Sequence, residues 1–135
     1  MDSSSAPHLN VEQVAPAADT SGGWWVTWRI RNVGEQPLEL VDVYVPHGKF
    51  YGPRVDLSSS DPVDPGTTRE IQLEVVFKEP LGAVVENAFL ILTATQQKIS
   101  WRILIRMTVE SGSLGAPMAK TELITTQKVG FSADG

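Results

Sequence analysis

Cysteine is missing from all 135 residues, which removes disulfides and thiolate chemistry from consideration. A domain of this length buries a core without such staples. Histidine is scarce. His8 and His47 lie in separate segments with no further nitrogen or sulfur ligand at metal spacing, so neither is read as part of a zinc or copper site. They read as a strand residue and a turn residue facing solvent. Basic residues number 11 against 16 acidic ones, a net charge of −5. Arg29, Arg31, Arg102 and Arg106 alternate with apolar residues instead of forming a basic run, which argues against nucleic acid as a partner. The longest strongly apolar run, Ala88 to Leu92, is far short of the roughly 20 residues a membrane helix needs, and no membrane insertion is expected. Met1 to Pro7 carry neither a basic nor an apolar segment of the kind a signal peptide requires. The compartment read from this is the cytoplasm, or the cell exterior if the domain is cut from a longer secreted chain.

The chain does contain strand patterns. Apolar residues make up 41% and charged residues 20%, an ordinary globular balance. From Trp24 the order Trp-Trp-Val-Thr-Trp-Arg-Ile-Arg places Trp24, Val26, Trp28 and Ile30 on one face, and Trp25, Thr27, Arg29 and Arg31 on the other. A period of two over that length is a half-buried strand, because a helix would scatter the same residues around its circumference. Similar runs occupy Leu38–Val45, Thr68–Phe77, Phe89–Thr95 and Ile99–Val109, with shorter candidates at His8–Val14 and Leu123–Thr126. Phe50–Leu57 contains Gly52-Pro53 and reads as an edge strand or loop. Asp64-Pro65-Gly66-Thr67 has the order of a type II turn, with Gly supplying the positive φ. No stretch carries a convincing helical period. Seven or eight short antiparallel strands with Gly/Pro punctuation predict an all-β, two-sheet sandwich. Its core includes Trp28, Ile30, Val43, Ile71, Leu73, Phe77, Ile103 and Ile105. The expected partition is a flexible tail over residues 1–7, the sandwich over 8–110, and an extension over 111–135 that adds one strand and is then flexible.

Two turn signals carry a family likeness. Arg31-Asn32-Val33-Gly34 with Pro37-Leu38, and Pro65-Gly66-Thr67-Thr68 opening a strand, make the stretch from Trp24 to Glu110 resemble the immunoglobulin-like modules of bacterial and archaeal surface or accessory proteins. The chain departs from antibody domains in having no cysteine pair. The resemblance implies an immunoglobulin-like sandwich that serves adhesion, spacing or docking.

Chemistry-bearing constellations are sparse. Ser58, Ser59 and Ser60 lack a nucleophile elbow and a histidine placed as base. Gly112 and Gly115 are not followed by a helical pattern that would cradle phosphate. Asp56, Asp61 and Asp64 fall in one loop, but their spacing is not that of an EF-hand, and Asp before Pro opens turns. No catalytic residue, metal or cofactor is expected. Arg29 and Arg31 are expected to face Glu70 and Glu74 across neighbouring strands as solvated ladder pairs. Trp25, opposite Trp24 and Trp28, is the candidate stacking ring if the domain binds carbohydrate, the alternative to docking.

The expected interaction surface lies on the sheet containing Leu38–Val45, Phe89–Thr95 and Ile99–Val109. With Val41, Val43 and Val45 inward, Leu40, Asp42 and Tyr44 point out. With Trp101, Ile103 and Ile105 inward, Arg102, Leu104 and Arg106 point out beside them. Phe89–Thr95 is apolar on both faces and adds either Leu90 and Leu92 or Phe89 and Ile91. Such a patch with a polar rim suits another protein or a second copy of the chain as partner. The competing arrangement is a C-terminal tail that folds back over it through Leu123 and Ile124.

Overall fold

The computed structural model describes residues 6–129. Nine strands run through them: β1 (Leu9–Gln13), β2 (Ala18–Asp19), β3 (Trp24–Asn32), β4 (Glu39–His47), β5 (Phe50–Asp56), β6 (Thr68–Val75), β7 (Val84–Gln96), β8 (Ile99–Ser111) and β9 (Pro117–Lys128). A single 3-10 turn, Ser113–Gly115, links the last two. The strands form two antiparallel sheets. In the smaller, β3 pairs with β6 on one edge and with β1 and β2 on the other; the larger runs β5-β4-β7-β8-β9. This is an all-β, two-sheet sandwich, as the alternation predicts.

Between the sheets lies one apolar core. All eight residues predicted for it are buried, joined by Leu90, Leu92, Trp101, Met107 and Val109. Trp28 meets Phe50 edge-on at 6.1 Å between ring centroids, and Phe50 meets Phe77 at 5.9 Å in the same manner. Edge contacts of this kind add about 0.5–1.5 kcal/mol each beyond area burial. The Trp28 indole Nε1 is buried with no hydrogen-bond partner among the described residues, a desolvation cost that the ring packing offsets.

The two long seams of the sandwich close differently. On one side, Tyr51 and Val76 exchange backbone hydrogen bonds of 3.3 and 2.7 Å, joining β5 to the chain just past β6. Gly52 is required at that approach, since a Cβ there would stand 2.4 Å from the Glu74 carbonyl oxygen. Along the other side β1 and β9 are linked by side chains. Gln13 accepts from the Ala119 N–H at 2.7 Å and donates to the Pro117 carbonyl at 3.3 Å, and the Thr121 hydroxyl donates to the Val11 carbonyl at 2.7 Å.

Turn chemistry follows the sequence where Gly and Pro dictate it. Gly66 has φ +81° and Thr67 N–H bonds the Asp64 carbonyl at 3.0 Å, as a type II turn requires. Asn32 does more than interrupt a strand. It is buried, donates from Nδ2 to the carbonyls of Gln36 and Val63 at 2.7 and 2.8 Å, and accepts from Gly34 N–H at 2.9 Å.

Several expectations need correction. Leu40 is 3% exposed and belongs to the core. The β4–β7 register slips between Leu40 and Asp42, so Val41 is an extra residue that resets the in–out phase. Val41 is accordingly only half-buried. Near the N-terminus, Pro7 is buried and Ala6 packs against the core, so the packed chain begins before residue 8; residues 1–5 and 130–135 lie outside the described residues. The strand expected at Leu123–Thr126 is a 12-residue strand paired along β8 from Trp101 to Ser111. β9 thus widens the sheet at its edge and does not fold back across its face.

Candidate interaction surface

The outer faces of the two sheets differ in kind. On the smaller sheet, cross-strand register sets Glu12, Arg29 and Glu70 in one row and Asn10, Arg31 and Thr68 in the next. Arg29 and Glu70 form an ion pair of 2.9 Å with both side chains about half exposed, a geometry that contributes about 0–1 kcal/mol. The expected partners of Arg31 and Glu74 change: Arg31 stands between Asn10 and Thr68, and Glu74 pairs with Trp25. These rows, with Ala119 to Thr121 of β9, line an open groove of about 880 Å³. Trp25 is 40% exposed on this face, as its phase predicts. Its cross-strand neighbours are Ala18 and Glu74, so no second ring continues a stacking row on either side.

The larger sheet carries a different surface. Reading across β4, β7, β8 and β9, register aligns Asp42, Thr93, Arg102 and Gln127 in one row, and Tyr44, Ile91, Leu104 and Thr125 in the next. A third row holds Phe89, Arg106 and Leu123, and nearer the opposite end Val84, Glu110 and Met118 share another. The apolar members are not core residues. Tyr44, Phe89, Ile91 and Leu104 are half-buried among their neighbours, while Leu123, Val84 and Met118 are 50%, 54% and 48% exposed. Arg102 and Arg106 are exposed and make no ion pair among the described residues.

One corner is already ordered. Arg54 of β5 donates to Asp42 Oδ2 at 3.0 Å, and its guanidinium carbon lies 4.2 Å from the centre of the Tyr44 ring. The hydrogen bond to Asp42 raises the Arg54 pKa above its ordinary value against partial desolvation, with the Asp42 charge acting in the same direction. This arrangement holds the Tyr44 ring flat against a cation, one route to an aromatic contact surface of low conformational entropy.

Of the residues expected on this face, Asp42, Tyr44, Arg102, Leu104 and Arg106 are brought together and Leu40 is not. Of the two options for β7, Phe89 and Ile91 face out, while Leu90 and Leu92 are buried. Sequence reading missed Val84, Met118, Leu123 and Arg54. Val84 precedes a bulge between Val85 and Ala88, and β9 slips register opposite Arg106 and Met107, so simple alternation loses count in both strands. The cation over Tyr44 has a weak signal in sequence, an Arg on the edge strand next to an aromatic strand.

Asp56 and Asp64 of the 56–64 loop serve turns, and the Asp61 carbonyl accepts from the Arg69 guanidinium. Asp56 accepts from the Ser58 N–H at 2.8 Å and from its hydroxyl at 2.6 Å, which lowers the Asp56 pKa below the usual carboxylate range. Asp64 supplies its carbonyl to Thr67 N–H and Oγ1. Among the described residues no three His, Cys, Asp or Glu side chains gather where a metal could be held, and no helix is long and apolar enough to cross a membrane. No protein-family model matches the chain, and no curated protein matches it either.

Proposed function

We infer that this chain is a non-catalytic docking module that offers the outer face of its five-stranded sheet to another protein surface. The observation that supports it most is the row Tyr44–Ile91–Leu104, continued by Phe89 and Leu123 and flanked by Arg102 and Arg106. An apolar centre beside cations without internal partners is the composition of an interface with a charged rim. The partner surface it suits is aliphatic and carries carboxylates. The smaller sheet supports the reading by contrast, since its outer face is mostly polar around a lone exposed Trp25 and Arg29 already has Glu70. The likeness of the turn signals to immunoglobulin-like modules points the same way, towards spacing and docking.

Leu104→Arg tests this reading. The side chain is half-buried on the outer face, so the variant should fold and unfold like the wild type by circular dichroism. It should lose retention of a partner on an affinity column and lose self-association in sedimentation. Wild type and variant that behave alike in both measurements would sink the docking function.

A further inference from the structure

We propose that the occupant of this face is a second copy of the same chain, stacked face to face with its strands antiparallel. The inference rests on the docking reading of the larger sheet and names its partner.

Two rows on this face mirror one another. Phe89–Arg106–Leu123 and Val84–Glu110–Met118 occupy the same three strands, β7, β8 and β9, in the same order. Each is an apolar side chain, a charge and another apolar side chain, and the two charges are opposite. Thr108 lies midway between them on β8. A two-fold axis through Thr108, in the plane of the face and across the strands, keeps each strand over its own copy and reverses its direction. It therefore sets Phe89 over Val84 of the second copy, Arg106 over its Glu110, and Leu123 over its Met118. All three contacts occur twice. Arg106 and Glu110 are four residues apart on one strand, about 13 Å, so they do not satisfy each other within one chain, and neither has an ion-pair partner among the described residues.

Exposure agrees with the assignment. Val84, Leu123 and Met118 are among the most exposed large apolar residues of the described chain, and all three sit in these two rows. Three further exposed charges flank the axis: Lys120, in register with Thr108, and Glu122 in the adjacent bulge, both on β9, and Glu86 in the β7 bulge on the other side of β8. At the far side Asp42 is taken by Arg54. Stacked sheets sit roughly 10 Å apart with strand directions within about 30°, which these side chains span. The overlap covers about eight residues along β8 and some three to four strands, on the order of 500 Å² of flat face per copy. Two such faces give roughly the 1,000 Å² at which a specific interface begins, so the dimer is a weak one whose population follows concentration.

Charge reversal in the full chain decides it. Wild type should sediment as a monomer–dimer mixture that shifts towards dimer as concentration rises. Arg106→Glu alone and Glu110→Arg alone should each sediment as monomer, because each homodimer would place two like-charge pairs in contact. An equimolar mixture of the two variants should recover the dimer, since both pairs are then again opposite in sign. Circular dichroism of each variant alone confirms that loss of dimer is not loss of fold. A wild type that stays monomeric at every concentration overturns the second copy as occupant, as does a mixture that stays monomeric. Either result leaves the docking reading to the Leu104→Arg partner measurement, which fails on its own terms.

Discussion

Asn32 shows how much one buried polar side chain organises in this protein. Its carboxamide makes three hydrogen bonds to main chain in a site 1% exposed. Its own backbone N–H and carbonyl bond Thr67 and Gly66, so two connections at one end of the sandwich hang on it. Asn32→Ala leaves the carbonyls of Gln36 and Val63 and the Gly34 N–H without these partners. Buried groups left unsatisfied cost about 1–3 kcal/mol each, with partial recovery by water. The variant should lose on the order of 2–4 kcal/mol in urea denaturation, and a loss within the range of ordinary surface substitutions would contradict the role given to it. Asp56 acts at the opposite extreme, fully exposed and bonded twice by Ser58. Its folded pKa is lowered, so its contribution to stability is present above the unfolded carboxylate value and is lost as pH falls through the folded one. Asp56→Ala should therefore be less stable than wild type near neutral pH. The gap should close as pH falls below the ordinary carboxylate value of about 4; thermal unfolding that keeps a constant gap on acidification would refute the assignment.

At the scale of elements, β9 is the strand whose place matters most. It pairs with β8 along its whole length, and its other edge faces β1 across a seam held by Gln13 and Thr121. Backbone groups at a sheet edge invite pairing with foreign strands, and the Gln13 amide occupies two of them. Gln13→Leu should lower stability by about 1–2 kcal/mol through the lost bonds. It should also speed hydrogen exchange at the Ala119 amide selectively, and unchanged exchange there would show that the seam is held by something else. This element was only partly legible beforehand. Leu123–Thr126 carries β-branched residues and reads as a strand, but Pro117–Glu122 turns only Pro117, Ala119 and Thr121 inward, a weak apolar signal, and the bulge at Glu122 breaks the count between the two halves. The β4 bulge at Val41 had a similar effect. Leu40 and Val43 lie three residues apart yet share the core face, and period-two counting assigns them to opposite sides.

For the whole molecule, the two outer faces divide the roles. Both sheets bury one face against the same core, so the outer faces are free to differ. The smaller sheet spends its outer positions on Glu12, Arg29, Glu70 and their polar neighbours, which water solvates well. The larger sheet places Phe89, Ile91, Leu104, Leu123, Val84 and Met118 outside, although its inner positions already fill the core. Apolar side chains exposed in register over several strands mark a contact surface more than a structural need. The Leu104→Arg and charge-reversal measurements above act on this surface without touching the core, which is why folding and association can be read separately.

What the sequence determined by itself was the phase of each regular strand. Trp28, Ile30, Ile71, Leu73, Ile103 and Ile105 had to lie on buried faces, because apolar residues at a spacing of two converge on one side of any strand. Turn positions followed likewise where Gly66 needed a positive φ. Tertiary structure decided the rest. Whether Leu40 faced in or out depended on a one-residue register slip between β4 and β7, which arises from pairing two chains and leaves no mark in either alone. Whether Phe89 and Ile91 or Leu90 and Leu92 pointed outward depended on which neighbour a doubly apolar strand met. The mirrored rows around Thr108 exist because β9 joined the sheet as a strand beside β8. Local alternation says which side chains travel together, and only the packing of strands against one another says which of them are left for water or for a partner.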